Sequence, residues 1–130
     1  MENLVLTGNN NVYLVPQINF NASNGYCEIV GESYLEESKE FYDTIMNWLR
    51  TYMEKVHGSL IFDIKLSYFN TSSSRCLLEV FRMLKSYQLE GNTVEVNWYI
   101  ETGEDYTIEE VEDFMTNSGL IINQKTLDSQ

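Results

Sequence analysis

Four consecutive hydroxyl side chains are the feature of this sequence most suited to chemistry. Thr71, Ser72, Ser73 and Ser74 lie between a segment patterned as a buried strand and one patterned as an amphipathic helix. Asn70 or Thr71 is the expected N-cap of that helix, and a cap needs only one such side chain, worth about 1 kcal/mol. The other hydroxyls suit a phosphorylation site, because a phosphate there would meet free N–H groups and the positive end of the helix dipole. The pattern therefore allows either a plain cap or a phosphorylation site.

Two further groups of side chains could do chemistry, and both also have simpler explanations. Asp63 and Lys65 share one face of a predicted strand, where they could act as acid and base or form a salt bridge on a solvated surface. Seven acidic residues lie between positions 101 and 113. They could bind a divalent cation or a basic partner, but they lack the spacing of a calcium loop. A solvated start of a helix is the simpler interpretation.

Residues that could bind a metal or act as a nucleophile are few. His57 is the only histidine and falls at the predicted C-terminus of a helix, where a cation is favourable. Cys27 and Cys76 form no paired motif and fit buried thiols in a reducing compartment. There is no glycine-rich phosphate loop. We therefore expect no catalytic residue, no metal and no cofactor.

The elements that must position these residues follow from the spacing of the apolar side chains. Alternation predicts strands over 11–21, 26–31, 60–69 and 93–100, and helical spacing predicts helices over 35–57, 72–90 and 107–118. A last short strand is expected over 119–124, followed by a polar, frayed tail. The predicted order is β-β-α-β-α-β-α.

Local signals place the ends of these elements. Ser33 with Glu36, and Thr107 with Glu110, have the spacing of capping boxes at helix starts. Gly58 is the expected C′ residue of the first helix. In the first strand Val12, Leu14, Pro16, Ile18 and Phe20 share one face. Pro16 suits an edge or bulge position there, because proline cannot donate to the ladder.

The strands alternate between apolar and polar residues, which indicates how the layers are arranged. Leu60, Phe62, Ile64, Leu66 and Tyr68 face one way, and Val94, Val96 and Trp98 repeat the pattern. A parallel sheet covered on both faces would instead have nearly continuous apolar strands. We therefore predict a two-layer α/β (α+β) fold with a mixed four- to five-stranded sheet and helices mainly on one face.

Length and charge restrict the class of protein further. A chain of 130 residues with 43% hydrophobic residues is expected to form one domain over 1–130, with a core over about 11–118. The formal net charge of −12 repels phosphate backbones and anionic lipids, so we expect neither nucleic acid nor a membrane surface as a partner. No segment has the ~20 apolar residues of a membrane span, and a cytoplasmic protein is predicted.

Three segments carry a likeness to a known family. They are GESYLEES (31–38), FYDTIMNWLRTY (41–52) and FDIKLSYFNTSSSRCLLEVF (62–81), with YFNTSS as the most specific piece. In these segments the chain resembles the SiaC family of bacterial regulatory phosphoproteins, small single-domain proteins related in layout to STAS-type anti-sigma-factor antagonists. The resemblance runs over roughly residues 15–115 and implies a STAS-like fold.

The resemblance implies a partner switch rather than an enzyme. The threonine phosphorylated in the family corresponds to Thr71. A histidine-kinase-like Ser/Thr kinase would add the phosphate, and a PP2C-like, metal-dependent phosphatase would remove it. In the best-understood systems of the family the unphosphorylated form binds and activates a diguanylate cyclase.

Two other hypotheses are an enzyme using Asp63, Lys65 or the acidic helix, and a passive adaptor domain. The absence of a nucleophile–base pair weighs against the enzyme. For a switch, we expect the partner surface to surround the start of the second helix. Its predicted residues are Asn70, Thr71, Ser72 and Arg75, with Tyr34 and Glu36 as neighbours; tyrosine and arginine are favoured in interfaces.

Overall fold

The computed structural model describes residues 1–10 and 14–127. The predicted strand position Val12 lies outside the described residues. The elements in chain order are β1 (Leu4–Leu6), β2 (Asn9–Asn10), β3 (Leu14–Val15), β4 (Gln17–Phe20), β5 (Tyr26–Ser33), α1 (Ser38–Thr51), β6 (Leu60–Phe69), α2 (Thr71–Leu89), β7 (Val94–Glu101), α3 (Asp105–Ser118) and β8 (Ile122–Leu127).

The main sheet is mixed, and within the described residues it has six strands in the order β1-β4-β5-β6-β7-β8. The pairs β1–β4 and β4–β5 are antiparallel, and the pairs from β5 to β8 are parallel. The predicted fold class is confirmed, with one strand more than the predicted maximum. The added strand is β1, whose three residues are too few to show a period and are placed by pairing Leu4 with Phe20.

The three helices cover one face of the sheet, as the alternation predicted. Apolar side chains from that face and from the helices are buried together, each contributing about 1.5–3 kcal/mol by the area rule. They include Ile45, Leu49, Leu60, Phe62, Ile64, Leu66, Leu77, Phe81, Leu84, Val96, Trp98 and Val111. Val94 is only half-buried. Among the described residues, no helix has the length and apolar character needed to cross a membrane.

A bulge near the end of β6 reverses the side-chain alternation of this strand. Gly31 of β5 pairs with Leu66, but the next residue, Glu32, pairs with Tyr68, so Ser67 is an extra residue on β6. Such an insertion re-aims the side chains that follow it. Tyr68 is therefore 43% exposed, and Phe69 packs against Trp98 in its place, with ring centroids 5.6 Å apart. The prediction that Tyr68 faces the core was wrong for this reason.

Both predicted capping boxes are wrong, because the side chains involved are used in the interior. The first helix begins at Ser38 after Glu37, with no side-chain cap bond, and Ser33 is instead the buried last residue of β5. The third helix begins at Asp105 after Glu104, also without a side-chain cap. Thr107 is buried within its first turn.

The end of the first helix also differs from the prediction. Helix α1 continues into a π-helical turn over Tyr52–Val56, and His57 then adopts a left-handed conformation with φ 56°. Gly58 is therefore not the residue with left-handed backbone. Glycine is needed there for space, since a Cβ at this position would lie 2.6 Å from the Tyr52 hydroxyl.

The strands at the two ends of the chain differ in length from the predicted ones. Pro16 is buried between β3 and β4. It interrupts the predicted first strand there, because proline has no N–H to donate to the ladder. At the other end β8 begins at Ile122 rather than 119. It pairs in parallel with β7 as far as Leu127, and so includes part of the segment predicted to be frayed.

Candidate functional site

The hydroxyl run lies at the carboxyl edge of the sheet. Strands β5 and β6 are parallel neighbours and end at Ser33 and Phe69, which are register partners. Helix α2 begins almost at once, and the backbone N–H of Asn70 donates to the Ser33 carbonyl at 3.0 Å. In sheets of this kind, the space outside the carboxyl ends of the parallel strands is the usual place for a site.

Asn70 is the N-cap of α2. It has extended backbone (φ −85°, ψ 175°), and its side-chain oxygen accepts from the Ser73 N–H at 3.0 Å. The side-chain amide donates to the Leu35 carbonyl at 3.2 Å. One residue therefore satisfies the helix start and holds the segment between β5 and α1 against it.

We expect Asn70→Ala to lower the free energy of unfolding by about 1 kcal/mol, because the Ser73 N–H loses its acceptor. Asn70→Asp keeps the acceptor and is the matched control, although it gives up the donation to Leu35. Urea unfolding of the three proteins measures the difference. An alanine variant as stable as the wild type would show that the cap bond contributes nothing.

Ser73 is fully buried (0% exposed) and is part of a chain of hydrogen bonds. The Ser33 hydroxyl donates to the Ser73 oxygen at 2.8 Å, and the Ser73 hydroxyl donates to the Ser33 carbonyl at 3.0 Å. Because the Ser33 proton is committed, the Tyr42 hydroxyl is the donor in its 2.8 Å bond with Ser33. Burial raises the pKa of Tyr42, so this phenol stays protonated and keeps donating. Ser73 is therefore structural and inaccessible.

Ser72 is exposed but bonded. Its hydroxyl lies 2.7 Å from that of the buried Ser38 and 3.3 Å from the Asn70 side-chain oxygen. The bond to Ser38 joins the first turn of α2 to the first turn of α1. It fixes the distance between the two helix starts.

Thr71 is the first residue of α2 and is exposed. Among the described residues, its hydroxyl makes no hydrogen bond with another group. Ser74 is half-buried one turn further on. Three of the four hydroxyls therefore differ clearly in role: Ser73 supports the interior, Ser72 joins two helices, and Thr71 is presented to solvent.

A groove of about 670 Å³ runs between α1 and α2 beside this helix start. Glu36, Ser72 and Arg75 line it, above the apolar side chains of Met46 and Leu78. The structure thus brings three of the predicted partner residues together, next to Asn70 and Thr71. Tyr34, the sixth predicted partner residue, does not line this groove.

Arg75 differs from two other cations lining the groove. Lys39 pairs with Asp43 at 2.7 Å and Arg82 pairs with Glu79 at 2.9 Å. Within residues 1–10 and 14–127, Arg75 forms no ion pair. Its guanidinium is therefore available to an anion.

Asp63 and Lys65 do not form the predicted pair. Asp63 is buried and accepts from the Tyr26 hydroxyl at 2.7 Å and from the Asn97 amide at 2.9 Å. Lys65 pairs instead with Glu28 at 3.0 Å, and this hydrogen bond raises the lysine pKa. Burial and the Asp63 carboxylate raise the pKa of Tyr26. Both members of the suspected acid–base pair thus have other partners.

The remaining candidates form no evident centre. In the part of the chain that the structure describes, no three His, Cys, Asp or Glu side chains are placed to hold a metal ion. The acidic residues of 101–113 lie mostly on the exposed side of α3 and the turn before it. His57 packs edge-on against Tyr87 at the helix end, with ring centroids 5.7 Å apart.

The sequence interpretation missed Ser38 and Tyr42 as parts of this site. Both lie on the buried side of α1, in line with Ile45 and Leu49. Their spacing from those two apolar residues is helical, so it could have identified polar side chains directed inward. Ser33 belongs to a predicted capping box, but in the structure its hydroxyl is buried and bonded to Ser73.

Solved structures with a similar fold come from Pseudomonas aeruginosa. Apo-SiaC matches with a TM-score of 0.85 and 22% sequence identity, covering 96% of this chain and 99% of that one. The crystal structure of diguanylate cyclase SiaD in complex with its activator SiaC matches with a TM-score of 0.87 and 22% identity, covering 95% and 99%. At this identity the likeness shows the fold.

The sequence comparisons agree with the structural ones. An uncharacterized protein of Pseudomonas aeruginosa (strain UCBPP-PA14) is 25% identical over 99 residues, which are 76% of this chain and 79% of the relative. The family model described as "SiaC family regulatory phosphoprotein" matches residues 10–125. That match covers most of the chain, including the hydroxyl run at the start of α2, and the protein belongs to the SiaC family of regulatory phosphoproteins.

Proposed function

We propose that the protein is a partner switch controlled by reversible phosphorylation of Thr71. The observation that carries this proposal is the difference among the neighbouring hydroxyls. Thr71 is exposed at the first position of α2, and its hydroxyl has no hydrogen bond within residues 1–10 and 14–127, whereas Ser73 is buried and Ser72 is bonded to Ser38. Membership of a family of regulatory phosphoproteins supports the assignment.

The proposed partners follow the family resemblance. A histidine-kinase-like Ser/Thr kinase adds the phosphate, a PP2C-like phosphatase removes it, and the unphosphorylated form binds and regulates a diguanylate cyclase. The similar structure in which SiaC is described as the activator of the diguanylate cyclase SiaD supports this choice of effector. We place the switch in the cytoplasm, where Cys27 and Cys76, both free, would remain reduced.

The proposed partner surface combines Asn70, Thr71 and Ser72 with Arg75 and Glu36; Tyr34 belongs to it from the opposite face of the sheet. Arg75 follows Thr71 by four residues on α2, so the two side chains are neighbours on the helix surface. A phosphate on Thr71 would attract this unpaired guanidinium. Phosphorylation would then add negative charge at Thr71 and also engage Arg75, so that this cation would no longer be available to the partner.

We infer that the protein has no catalytic activity of its own. The only acid–base pair suggested by the sequence, Asp63 and Lys65, is divided between Tyr26, Asn97 and Glu28. Purified protein is expected to hydrolyse neither nucleotides nor phosphoesters. Turnover that disappeared in Asp63→Ala would favour an enzyme instead.

Phosphopeptide mapping of protein from its native cell tests the switch. Trypsin cleaves after Lys65 and Arg75, so a single peptide, 66–75, contains the whole hydroxyl run. We expect one added phosphoryl group, assigned by fragmentation to Thr71, and its loss in Thr71→Ala. Phosphate on Ser72 or Ser74 would contradict the assignment, and absence of phosphate in every growth condition would favour a passive adaptor.

A further inference from the structure

Three exposed tyrosines lie near the carboxyl end of β6: Tyr34 and Tyr68 on the face of the sheet that the helices leave open, and Tyr106 in the first turn of α3. Tyr34 and Tyr68 are each 43% exposed and Tyr106 is 53% exposed. We call these three residues the tyrosine patch. Of the three, only Tyr34 was predicted at a partner surface.

The patch is built by the fold rather than by chance exposure. The bulge at Ser67 directs Tyr68 to the open face, where its ring centroid lies 6.1 Å from that of Tyr34. The Tyr106 hydroxyl donates to the Ser67 carbonyl at 3.1 Å, which brings the start of α3 to the same point. The patch is therefore next in sequence and in space to Asn70 and the start of α2.

Acidic residues border the patch. Glu32 is the cross-strand partner of Tyr68, Glu101 ends β7, and Asp105 precedes Tyr106. Within the described residues none of these three carboxylates forms an ion pair, unlike Glu28, which pairs with Lys65. Lys125 lines the same pocket as Glu101 and Asp105, so the three carboxylates outnumber this neighbouring cation, in a chain whose net charge is −12.

We propose that the tyrosine patch is a docking surface for an arginine-bearing segment of the effector protein. The proposal rests on the proposed function, because it assumes that an effector binds this edge of the sheet. Tyrosine rings attract guanidinium groups through their faces, and carboxylates accept from them in pairs. Arginine satisfies both features of the patch, whereas lysine offers a compact charge that stacks less well.

The tyrosine patch, where the effector would be held, is separate from Thr71, where phosphorylation would control that binding. Tyr34 and Tyr68 lie on the open face and Tyr106 reaches the same edge from α3, whereas α2 and the groove beside Arg75 lie on the covered face. An effector that reaches round the edge would be held by arginine at the patch. The same effector would meet the hydroxyl of Thr71 with a different part of its surface.

Photo-cross-linking in the native cell tests the proposal with the full chain. A benzophenone amino acid replaces Tyr68 in one strain and Tyr106 in another, both in the Thr71→Ala background. Ile121 is the control position, since it is 77% exposed and precedes β8, at the opposite end of the parallel strands. We expect adducts with a diguanylate cyclase at 68 and 106, each joined to an arginine-containing peptide, and none at 121.

Several outcomes would overturn the proposal. These are no adduct at either tyrosine position, equal yield at Ile121, a peptide without arginine, or an adduct with a second copy of this chain. With the cyclase identified in this way, Tyr68→Ala should weaken binding at least about 10-fold, the usual effect of an interface anchor. Tyr68→Phe should keep most of the affinity because it keeps the ring, and equal melting temperatures would show that all variants fold.

Failure of the inference can be distinguished from failure of the proposed function. If Thr71 is phosphorylated and controls the effector but the tyrosine positions give no adduct, only the docking surface is wrong. If the adducts form and Thr71 is never phosphorylated, the docking surface stands and the switch is wrong.

Discussion

Phosphorylation of Thr71 is expected to weaken effector binding by at least about 100-fold, equivalent to roughly 2.7 kcal/mol. A partner surface fitted to a neutral hydroxyl would have to bury a strongly hydrated anion without a matching cation. The cost of that is several kcal/mol. Because Arg75 lies one turn away and has no ion pair in the described part of the chain, the phosphate would also engage a cation of the proposed partner surface.

The same phosphate should leave the domain folded. Thr71 is exposed at the first position of α2, where negative charge is favourable by about 0.3–1 kcal/mol. The hydroxyl chain that supports this helix start runs through Ser73 and Ser33, and Thr71 is not part of it. The melting temperature of the phosphoprotein should therefore equal or slightly exceed that of the unmodified protein.

The decisive comparison measures effector affinity and melting temperature on the same samples. Wild type, phosphoprotein, Thr71→Ala and Thr71→Glu are the four proteins needed. Alanine should bind constitutively, and glutamate should imitate the phosphate only in part because it carries less charge and fewer acceptor oxygens. Melting of the domain by phosphate, or normal switching by Thr71→Ala, would refute the mechanism.

Ser73→Asp is expected to destabilise the protein by about 3 kcal/mol or more, because it buries an uncompensated charge. The carboxylate would face the Ser33 carbonyl, to which the Ser73 hydroxyl now donates at 3.0 Å. Two acceptors would then oppose each other in a site with no access to water. Thr71→Asp, two residues earlier on the same helix, should cost nothing because that side chain is exposed.

Denaturant unfolding at several pH values tests this contrast. Burial would raise the pKa of the new carboxyl, so its protonated form would persist in the folded state. Stability lost at pH 7 should therefore be partly recovered as the pH falls towards that raised pKa. Ser73→Ala separates loss of the hydrogen bond from burial of charge. If Ser73→Asp were as stable as Thr71→Asp, Ser73 could not be a buried member of the chain.

Periodicity was sufficient to predict the layers. The alternation in β6 and β7 identified the covered face through Leu60, Phe62 and Val96, and Asn70 was one of two predicted caps. These features depend on side chains a few positions apart. The sequence alone therefore contains them.

The errors arise where distant parts of the chain meet. Ser33 was interpreted as a helix cap because its local spacing fits, but its hydroxyl bonds to Ser73, 40 positions away. Tyr68 was placed in the core because alternation cannot reveal an extra residue in a strand pairing. The short strand β1 likewise depends on its partner β4 and not on a period of its own.

Two kinds of information identify the candidate site: the family resemblance and the structure. The choice of Thr71 came from the family resemblance, since four adjacent hydroxyls are chemically alike in sequence. Burial and hydrogen bonding distinguish them in the structure, and that distinction supports the same residue. The role proposed for Tyr106 could not have been predicted, because α3 reaches β6 only through the fold.

The extra residue at Ser67 separates two selective pressures within one strand. Residues up to Leu66 must fit the interior, and Phe69 must fill the space beside Trp98. Position 68 is released from that requirement, because the insertion turns it outward. If the tyrosine patch binds the effector as proposed, a lineage that duplicates this protein can change which partner each copy recognises by substituting position 68, while the interior of both copies stays the same.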